Sequence, residues 1–522
     1  VHMSKVYSSN LDLQQKILDG VNKLTDNVAA TLGPKGRNVI LARSGASPII
    51  TKDGVTVANF VDLEDPVENA AAQILKQVAS ETNSLAGDGT TTSTVLAREM
   101  IKNSQKFLIA GSSPIEIKRG MDKALEKVVS AIKDMATPVE TLHEIEAIAT
   151  ISANNDQKVG KLIASAVDKV GHEGSILIEE AKSMETTLDL VEGFRFNSGY
   201  YAQSFVTNER KNSINYEDAL IVVTDYKIDT VKKILPVLEL AARESRPLIL
   251  IAEDIEGQAL AALIMNSVRG TMKVAAVKAP GYGAERTSIL SDLCAATGAN
   301  FFSRSAGRKL DDISMVDFGC CKKIEVLKHS TTIMGGSADT EEVEKKIEAL
   351  KSEIKQTEDM AECRKLQNRI TRLASGIAVI KVGGATEIEM IEKKHRVEDA
   401  LEAVRSAQEE GIVPGGGCAL LKCSNFQAEA LNEDQEIGVE IIRRSLQAPV
   451  RQMALNAGES PDLIIDRIAN SENQGWDFKN SKLTNMVEDG IIDPAKVTRV
   501  AMQNSVSAAS TLITTSNSII EE

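Results

Sequence analysis

The sequence lacks the features that mark membrane and secreted proteins, and it has little of what nucleic-acid binding requires. No apolar run reaches the roughly 18 residues of a membrane span, and the amino-terminal segment has no signal-peptide pattern. Aromatic residues make up 3% of the chain and the formal net charge is −14, whereas binding to phosphate backbones needs a basic surface. We therefore expect a cytosolic protein whose main partner is not a nucleic acid.

Cysteine is also sparse and without a pattern. The six cysteines show neither a CxxC pair nor the spacing of metal ligands, and the five histidines are scattered. Thiols in such an arrangement are typically buried or unreactive in a reducing compartment. The cysteines are Cys294, Cys320, Cys321, Cys363, Cys418 and Cys423.

The rest of the composition is that of a large globular protein. Hydrophobic residues account for 43% of the 522 residues and charged residues for 26%, which is enough to bury substantial cores. A chain of this length is too long for one core and predicts about three domains. Its apolar residues are mostly Ala, Val, Ile and Leu, which favours a helix-rich protein.

Residues 87–92 read Gly-Asp-Gly-Thr-Thr-Thr and lie between two helical patterns. The glycines allow close backbone approach, and the first-turn N–H groups after Thr90 have no intrahelical partner. The helix dipole is positive at the same point, and Asp88 offers the hard oxygen ligand that Mg2+ prefers. The segment predicts a phosphate and metal site, with an ordinary glycine turn capped by threonine as the alternative.

Other turns combine glycine with a carboxylate or follow a helix. A helical pattern ends at residues 31–36, Thr-Leu-Gly-Pro-Lys-Gly, which have the size of a phosphate loop but not the Walker pattern. An apolar run leads to residues 51–54, Thr-Lys-Asp-Gly, predicted as a hairpin tip. Residues 415–417 are consecutive glycines that can wrap around a ligand, and residues 491–494 contain an Asp-Pro turn. Each of these is more often a plain turn when it stands alone.

The middle of the chain is richer in strand patterns. Apolar runs at 248–252 and 274–277 flank a helical pattern at 256–269, which predicts a βαβ unit. No GxGxxG fingerprint follows the first run, which argues against a dinucleotide site. Residues 341–373 carry two charged helical patterns, predicted as a surface helical hairpin rather than an intermolecular coiled coil.

A further helical pattern covers residues 387–409. Val397, Leu401 and Val404 form its buried stripe, and Asp399 lies off this stripe. A solvated charged face explains Asp399, but a carboxylate on a rigid helix could also position the water that attacks a γ-phosphate. Both interpretations stay open at this point.

Taken in order, these segments resemble the nucleotide site of a group I chaperonin, the bacterial GroEL family. The resemblance extends from about Leu13 to Thr515. It implies a multidomain α+β protein with the chaperonin fold, in which a helical equatorial domain, a small α/β intermediate domain and an α/β apical domain follow one another. The matching segments are Thr31 to Arg37, Thr51 to Val55, Ala86 to Thr92, Ile151 to Asn154, Lys278 to Gly281, Val397 to Ala400 and Gly415 to Gly417.

The resemblance also implies that two of the domains are formed by separate parts of the chain. The equatorial domain would comprise residues 4–134 and 410–522, bind ATP and make most ring contacts. The intermediate domain would comprise residues 135–191 and 376–409, and the apical domain residues 192–375. Glycine or proline near each crossing could serve as a hinge.

By resemblance, the equatorial domain would bind ATP together with Mg2+ and K+. Asp88 would be the Mg2+ ligand, and Asp53 and Asp399 would be catalytic carboxylates that organise the attacking water and the metal. Asp399 would arrive only when the intermediate domain closes over the nucleotide, which couples hydrolysis to motion. The ATP-binding residues would be Thr31, Leu32, Gly33, Pro34, Lys52, Gly89, Thr90, Thr91, Thr92, Ile151, Gly415, Gly416, Asp477 and Asp493.

The same resemblance implies an apical groove that binds unfolded chains and a co-chaperonin. Packing of the apical core is the alternative explanation for the same spacing. Ser204 stands where the family usually has a groove tyrosine, and Ser460 replaces a glutamate that would face Arg451 across the ring junction. The groove residues would be Tyr200, Ser204, Phe205, Leu235, Leu238, Leu260, Ile264 and Met265.

The implied function is that of an ATP-dependent protein-folding chaperonin, an ATPase that binds non-native polypeptides and encloses or releases them in a ring cavity. Its partners would be unfolded clients and further copies of itself in a seven-membered ring. The expected location is the cytoplasm of a bacterium or of an infected bacterial host, with an organelle matrix left open. Ser204 and Ser460 leave open a single or labile double ring that works without a co-chaperonin. The alternatives from other classes are an ATP-independent holdase or scaffold and a small-molecule phosphotransferase.

Overall fold

The computed structural model describes residues 5–153, 156–171, 174–336, 339–374 and 376–521. The chain forms two compact units. The first comprises the residues up to Ala164 and from His395 onward, and the second comprises Ser165–Lys394. Asn154, the last residue of one segment that carries the family resemblance, lies outside the described residues.

Helices and short strands alternate along the chain. The helices are α1 (Asn10–Ala29), α2 (Gly54–Phe60), α3 (Pro66–Ala86), α4 (Thr90–Ile109), α5 (Pro114–Met135), α6 (Leu142–Ser152), α7 (Gln157–Val170), α8 (Val231–Glu244), α9 (Gly257–Val268), α10 (Gly283–Thr297), α11 (Thr340–Gln356), α12 (Met360–Ala374), α13 (Glu387–Glu410), α14 (Cys418–Lys422), α15 (Glu433–Ser445), α16 (Ala448–Ala457), α17 (Pro461–Ala469) and α18 (Ala495–Ile513). The strands are β1 (Lys5–Ser9), β2 (Val39–Leu41), β3 (Ile49–Thr51), β4 (Ile176–Glu180), β5 (Thr187–Val191), β6 (Gly193–Phe196), β7 (Ile214–Ile228), β8 (Leu248–Ile255), β9 (Val274–Lys278), β10 (Phe301–Phe302), β11 (Gly319–Val326), β12 (Thr331–Gly336), β13 (Ile377–Val382), β14 (Ile412–Pro414), β15 (Gly475–Asp477), β16 (Lys482–Thr484), β17 (Ile492–Pro494) and β18 (Asn517–Glu521).

Long amphipathic helices build the core of the first unit. Their apolar residues recur at helical spacing and are fully buried, as Leu24 and Val28 are on α1 and Leu96 and Met100 are on α4. Helices α1, α3, α4, α5, α15 and α18 pack together around this core. The region that carries the Gly-Asp-Gly segment is therefore held on a rigid helical body.

Four antiparallel strand pairs complete the first unit: β1 with β18, β2 with β3, β14 with β17, and β15 with β16. The β1–β18 pair joins distant parts of the chain and places Tyr7 opposite Ile519. The β14–β17 pair likewise places Val413 opposite Asp493. Strand β17 contains the acidic turn that lies near the end of the sequence, just before α18. Its pairing with β14 brings this turn to the glycine segment that follows β14.

The second unit is built on a seven-stranded sheet. Its strands follow the order β6-β12-β11-β7-β8-β9, with β10 beside β7. Strands β7, β8 and β9 run parallel, and α8 and α9 connect them. The run at 248–252 is fully buried, as expected for parallel strands covered on both faces, so the predicted βαβ unit is confirmed. A separate three-stranded sheet has the order β4-β13-β5.

The predicted helical hairpin is also confirmed, as α11 and α12. Leu350, Leu366 and Ile370 form a small apolar cluster between the two helices. Asp292 of α10 is fully buried and accepts hydrogen bonds from Arg369 Nε and Nη2 at 2.8 and 2.9 Å. A buried carboxylate is tolerated when a bidentate guanidinium pairs with it in this way.

The predicted hairpin tip at residues 51–54 is wrong. Strand β3 ends at Thr51, α2 begins at Gly54, and the turn of the β2–β3 hairpin lies earlier, between residues 41 and 49. Asp53 is the N-cap of α2, and its carboxylate accepts hydrogen bonds from the N–H and the hydroxyl of Thr56. Aspartate is a strong N-cap, and here that preference decides the local structure.

The six cysteines are free thiols, and Cys294, Cys321, Cys418 and Cys423 are buried. Burial raises the pKa of Cys294, Cys321 and Cys423 to about 12, which keeps these thiols protonated and unreactive. Within the described ranges, no helix combines the length and the hydropathy that crossing a membrane would require.

Candidate functional site

The Gly-Asp-Gly-Thr-Thr-Thr segment forms the start of α4, as predicted. Gly87 ends α3 and Gly89 precedes α4, both with left-handed backbones at φ 76° and 89°. No side chain caps α4, so its first-turn N–H groups and the positive end of a 20-residue helix dipole are left for another acceptor. Thr90 is buried, whereas Thr91 and Thr92 are partly exposed. An uncapped helix start of this kind can bind an anion.

Asp53 lies against the same helix start. A Cβ atom on Gly54 would lie 2.3 Å from the hydroxyl oxygen of Thr91, so the residue after Asp53 packs directly on the first turn of α4. The charge of Asp53 raises the pKa of Asp88, after the larger effect of burial. The two carboxylates therefore lie near each other although Asp53 caps α2 and Asp88 lies between α3 and α4.

Asp493 completes a group of three interacting carboxylates. Burial raises the pKa of Asp88, the hydrogen bond that Gly89 N–H donates to Asp88 Oδ1 at 2.6 Å opposes this, and the charge of Asp53 adds to it. Burial and then the charge of Asp88 raise the pKa of Asp493 to about 7. The Asp88 side chain is exposed to water, although many protein atoms surround its carboxylate. A bound cation would stabilise all three ionised groups.

The triple-glycine segment lies next to Asp493. Strand β17 contains Asp493, and its partner β14 leads directly into Gly415. Gly416 has a φ of 64°, and a Cβ atom there would lie 2.8 Å from Met486 Cε and 3.4 Å from the carbonyl oxygen of Trp476. The segment therefore runs from Asp493 to the β15–β16 hairpin, and its left-handed backbone at Gly416 favours glycine.

Residues 31–34 form a loop that follows α1. Lys52 Nζ donates to the carbonyl oxygen of Gly33 at 3.3 Å, so the predicted lysine and the loop are in contact. Asn456 Nδ2 donates to the carbonyl oxygens of Ala29 and Leu32, both at 2.9 Å. Sequence reasoning missed Asn456, since a polar residue on a helix carries no local sign of a long-range partner. Thr31 is buried, Leu32 and Gly33 are partly buried, and Pro34 is exposed.

Asp399 is exposed on α13, as its position off the buried stripe predicted. Two residues on the same helix contact the segment before Asp88: Ser406 Oγ donates to Ala86 O at 2.8 Å, and a Cβ atom on Gly87 would lie 2.6 Å from Glu402 Cβ. Asp399 and Glu402 are three residues apart and share a helix face. The structure thus places Asp399 one helical turn from the contact with Gly87.

Two further predicted residues have different surroundings. Ile151 Cδ1 would lie 2.9 Å from a Cβ atom on Gly490, which brings Ile151 to the segment before β17. Asp477 is buried, and its carboxylate accepts hydrogen bonds from Lys479 N–H at 2.9 Å, Asn480 N–H at 3.3 Å and Asn480 Nδ2 at 2.8 Å. The Asp477 side chain therefore stabilises the turn of the β15–β16 hairpin.

The predicted groove residues lie in the second unit and differ in exposure. Tyr200 and Phe205 are buried in the core of the large sheet, whereas Ser204, which precedes Phe205, is exposed. Leu235 on α8 is 47% exposed and Met265 on α9 is 53% exposed. The remaining three are partly buried against the core: Leu238, Leu260 and Ile264.

The carboxylates suit a metal that arrives with a phosphate ligand. In the parts of the chain that the structure describes, no three His, Cys, Asp or Glu side chains form a metal site by themselves. Mg2+ in nucleotide sites commonly takes only one or two carboxylates and completes its shell with phosphate oxygens and water. Asp88, which lies beside Asp53 and Asp493 and next to the uncapped start of α4, fits that requirement.

Comparisons with known proteins agree with this architecture. The TCP-1/cpn60 chaperonin family model matches residues 24–522. The fold is similar to two crystal structures of the chaperonin gp146 from bacteriophage EL 2 (Pseudomonas aeruginosa), both determined in the presence of ATP-BeFx. Crystal form II gives a TM-score of 0.68 at 22% identity and form I gives 0.61 at 21%, each over 99% of both chains.

The fold is that of a chaperonin, with a multidomain architecture of mixed helix and strand. The chain belongs to the TCP-1/cpn60 chaperonin family. The family and the fold class predicted from the sequence are therefore confirmed.

Proposed function

We propose that this protein is an ATP-dependent protein-folding chaperonin and that ATP binds with Mg2+ at the start of α4. The observation that carries the proposal is the convergence of Asp53, Asp88 and Asp493 on an uncapped helix start. Family membership supports a chaperonin function. The presence of ATP-BeFx in the crystals of the similar phage chaperonin supports the choice of nucleotide.

Each residue of the site has a role that follows from its place. The N–H groups of residues 90–92 and the Lys52 ammonium bind phosphate oxygens. Asp88 holds Mg2+, which neutralises charge on the phosphates when it is bound, and Asp53 supports the same site. Gly415 and Gly416 let the backbone approach the nucleoside, beside Asp493. We propose that K+ binds near the backbone oxygens of the 31–34 loop.

Asp399 acts as the residue that positions the attacking water. Its helix α13 touches the Gly87 segment through Glu402, so a small movement of α13 changes the distance between the Asp399 carboxylate and the phosphates. We propose an equatorial domain of residues 4–134 and 410–522, an intermediate domain of residues 135–191 and 376–409, and an apical domain of residues 192–375. Hydrolysis then depends on closure of the intermediate domain, and closure is what couples the chemistry to client release.

Self-association into a ring is supported by two exposed strand pairs. Ile40 and Ile50 face each other across β2–β3, and Tyr7 and Ile519 across β1–β18, and all four side chains are exposed. Isolated two-stranded sheets are marginally stable, and exposed apolar strands mark surfaces that pair with another chain. We propose a seven-membered ring, single or double, in the cytoplasm of a bacterium or of an infected bacterial host.

Non-native polypeptides bind at the exposed apolar residues of α8 and α9. Leu235 and Met265 provide adaptable contacts on these helices. Ser204 is exposed where the family usually has tyrosine, which favours a cycle that does not depend on the usual co-chaperonin. Arg451 pairs with Asp462 at 2.9 Å within the chain, and Ser460 is the N-cap residue of α17 but makes no capping hydrogen bond, which favours a labile contact between rings.

Mg2+-dependent ATP hydrolysis and ATP-dependent refolding of a denatured enzyme test this function. Asp88→Asn should lower turnover by about 100-fold or more because the ligand for Mg2+ loses its charge. Asp62→Asn, an exposed aspartate of the same unit, is the control. Client binding that does not change with ATP would indicate a holdase instead. ATP turnover that requires a soluble acceptor would indicate a phosphotransferase.

A further inference from the structure

The position of Trp476 is fixed by contacts that the proposed mechanism does not use. Trp476 is the only tryptophan of the chain, and it is 6% exposed. Its indole Nε1–H donates to Glu459 Oε2 at 2.9 Å, and the Arg467 guanidinium lies 5.5 Å from the ring centroid. A charged acceptor strengthens such a hydrogen bond, and a buried indole N–H needs a partner. Glu459 therefore anchors the indole.

The backbone of Trp476 forms part of the wall of the proposed nucleotide cleft. Its carbonyl oxygen would lie 3.4 Å from a Cβ atom on Gly416, and Met486 Cε would lie 2.8 Å from the same atom. Movement of the β15–β16 hairpin would therefore change the space beside Gly416. The anchor of the indole is thus also an anchor of the cleft wall.

Glu459 lies in the turn after α16, the helix that also contacts the 31–34 loop, which the proposed function places on the other side of the nucleotide. It follows Gly458, the C-cap of α16, and its N–H donates to Ala454 O at 2.9 Å, which ties it to the helix end. On α16 itself, Asn456 donates to the carbonyl oxygens of Ala29 and Leu32. Helix α16 thus contacts the 31–34 loop through Asn456, and the turn after it contacts the β15–β16 hairpin through Glu459.

We propose that α16 and the turn after it set the distance between the two walls of the nucleotide cleft, with Glu459 as a positioning residue that acts through Trp476. The inference rests on the proposed function, because it takes the ligand to be ATP. Glu459 itself does not touch the nucleotide. Glu459 holds the cleft in its binding geometry before the nucleotide arrives. Its loss should therefore weaken nucleotide affinity more than it lowers the turnover rate.

Steady-state ATP hydrolysis of three variants tests the proposal. Glu459→Ala should raise KM for ATP by about ten-fold and change kcat by less than about two-fold. Glu459→Gln keeps an oxygen that accepts from the indole and should stay close to wild type. Glu472→Ala, an exposed residue between α17 and β15, is the control. Equal KM values for Glu459→Ala and Glu472→Ala would overturn the inference, as would equal impairment of the Gln and Ala variants.

A second measurement separates this role from a loss of folding. Trp476→Phe keeps an aromatic ring but has no N–H, so adding Glu459→Ala in that background should leave KM unchanged. A further rise of KM in the double variant would overturn the route through Trp476. Direct titration of wild type with ADP, followed by Trp476 fluorescence and by calorimetry, tests the premise. Failure of wild type to bind nucleotide overturns the proposed function as well, whereas normal binding with unaltered variants overturns the inference alone.

Discussion

Asp88 and Asp493, which come from opposite halves of the sequence, lie close enough for the charge of Asp88 to raise the pKa of Asp493. Together with the larger effect of burial, this brings the pKa of Asp493 to about 7. Helix α18, which follows β17, packs on α3 and α4 and brings Asp493 to the Asp88 segment: a Cβ atom on Gly89 would lie 3.1 Å from Val497 Cγ1. Burial and the charge of its neighbour disfavour the ionised form of each carboxylate at neutral pH. A bound cation would lower this free-energy cost.

The raised pKa of Asp493 predicts a pH-dependent stability of the nucleotide-free protein. The pKa of this carboxyl has its ordinary value of 3.8 in the unfolded chain and is about 7 in the folded chain. The folded state therefore loses stability as pH rises from the first value to the second. Asp493→Asn should match wild type near pH 4 and exceed its free energy of unfolding by ~1–3 kcal/mol at pH 8. Urea unfolding at both pH values, with Asp62→Asn as control, checks this. A difference that is the same at both pH values would contradict the coupling.

Gly87 and Gly111 form a matched pair for testing the contact between α13 and the Asp88 segment. Both have left-handed backbones, with φ of 76° and 92°. A Cβ atom on Gly87 would lie 2.6 Å from Glu402 Cβ, whereas one on Gly111 would meet nothing within 4 Å. Alanine at either site should cost ~1 kcal/mol of stability through backbone strain alone.

Only Gly87→Ala should also push α13 away, and it should therefore lower kcat for ATP hydrolysis several-fold more than Gly111→Ala. Thermal unfolding measures the shared strain, and steady-state hydrolysis measures the difference between the two variants. Similar losses of activity in both would show that the packing of Glu402 on Gly87 does not position Asp399.

Local sequence signals predicted much of this fold. Three features were predicted correctly: the helix start after the Gly-Asp-Gly segment, the βαβ unit around β8 and the α11–α12 hairpin. Each depends on hydrophobic periodicity or on the position of glycine within a short stretch of sequence. Asp53 was misplaced on a hairpin tip, since Asp-Gly is a turn signal in one context and a helix start in another. The immediate neighbours of Asp53 do not distinguish the two.

Long-range contacts could not be predicted from the residues alone. The hydrogen bonds of Asn456 to Ala29 and Leu32, and that of Trp476 to Glu459, join segments whose patterns carry no sign of each other. The side-chain amide of Asn456 looks the same in sequence whether it faces solvent or a backbone carbonyl. Only the packing of α16 decides which groups it meets.

The exposed residues of α8 and α9 predict where clients bind. Leu235→Ser and Met265→Ser should each weaken the binding of a denatured enzyme by about five-fold, because apolar contact area is lost, and should leave ATP hydrolysis unchanged. Val316→Ser is a control, since Val316 is 78% exposed in the same unit but outside these helices. Binding that is unchanged while the unit becomes less stable would support the alternative, in which these residues only pack the core.

The most direct test of the account is the coupling of ATP turnover to folding through Asp399. ATP hydrolysis and refolding of an aggregation-prone enzyme should be measured together for wild type and Asp399→Ala, with nucleotide binding measured in parallel and a generic co-chaperonin present or absent. We expect Asp399→Ala to bind ATP, to hydrolyse it about 100-fold more slowly, and to lose refolding in the same proportion. Refolding that survives the loss of turnover would show a passive binder and would contradict the account.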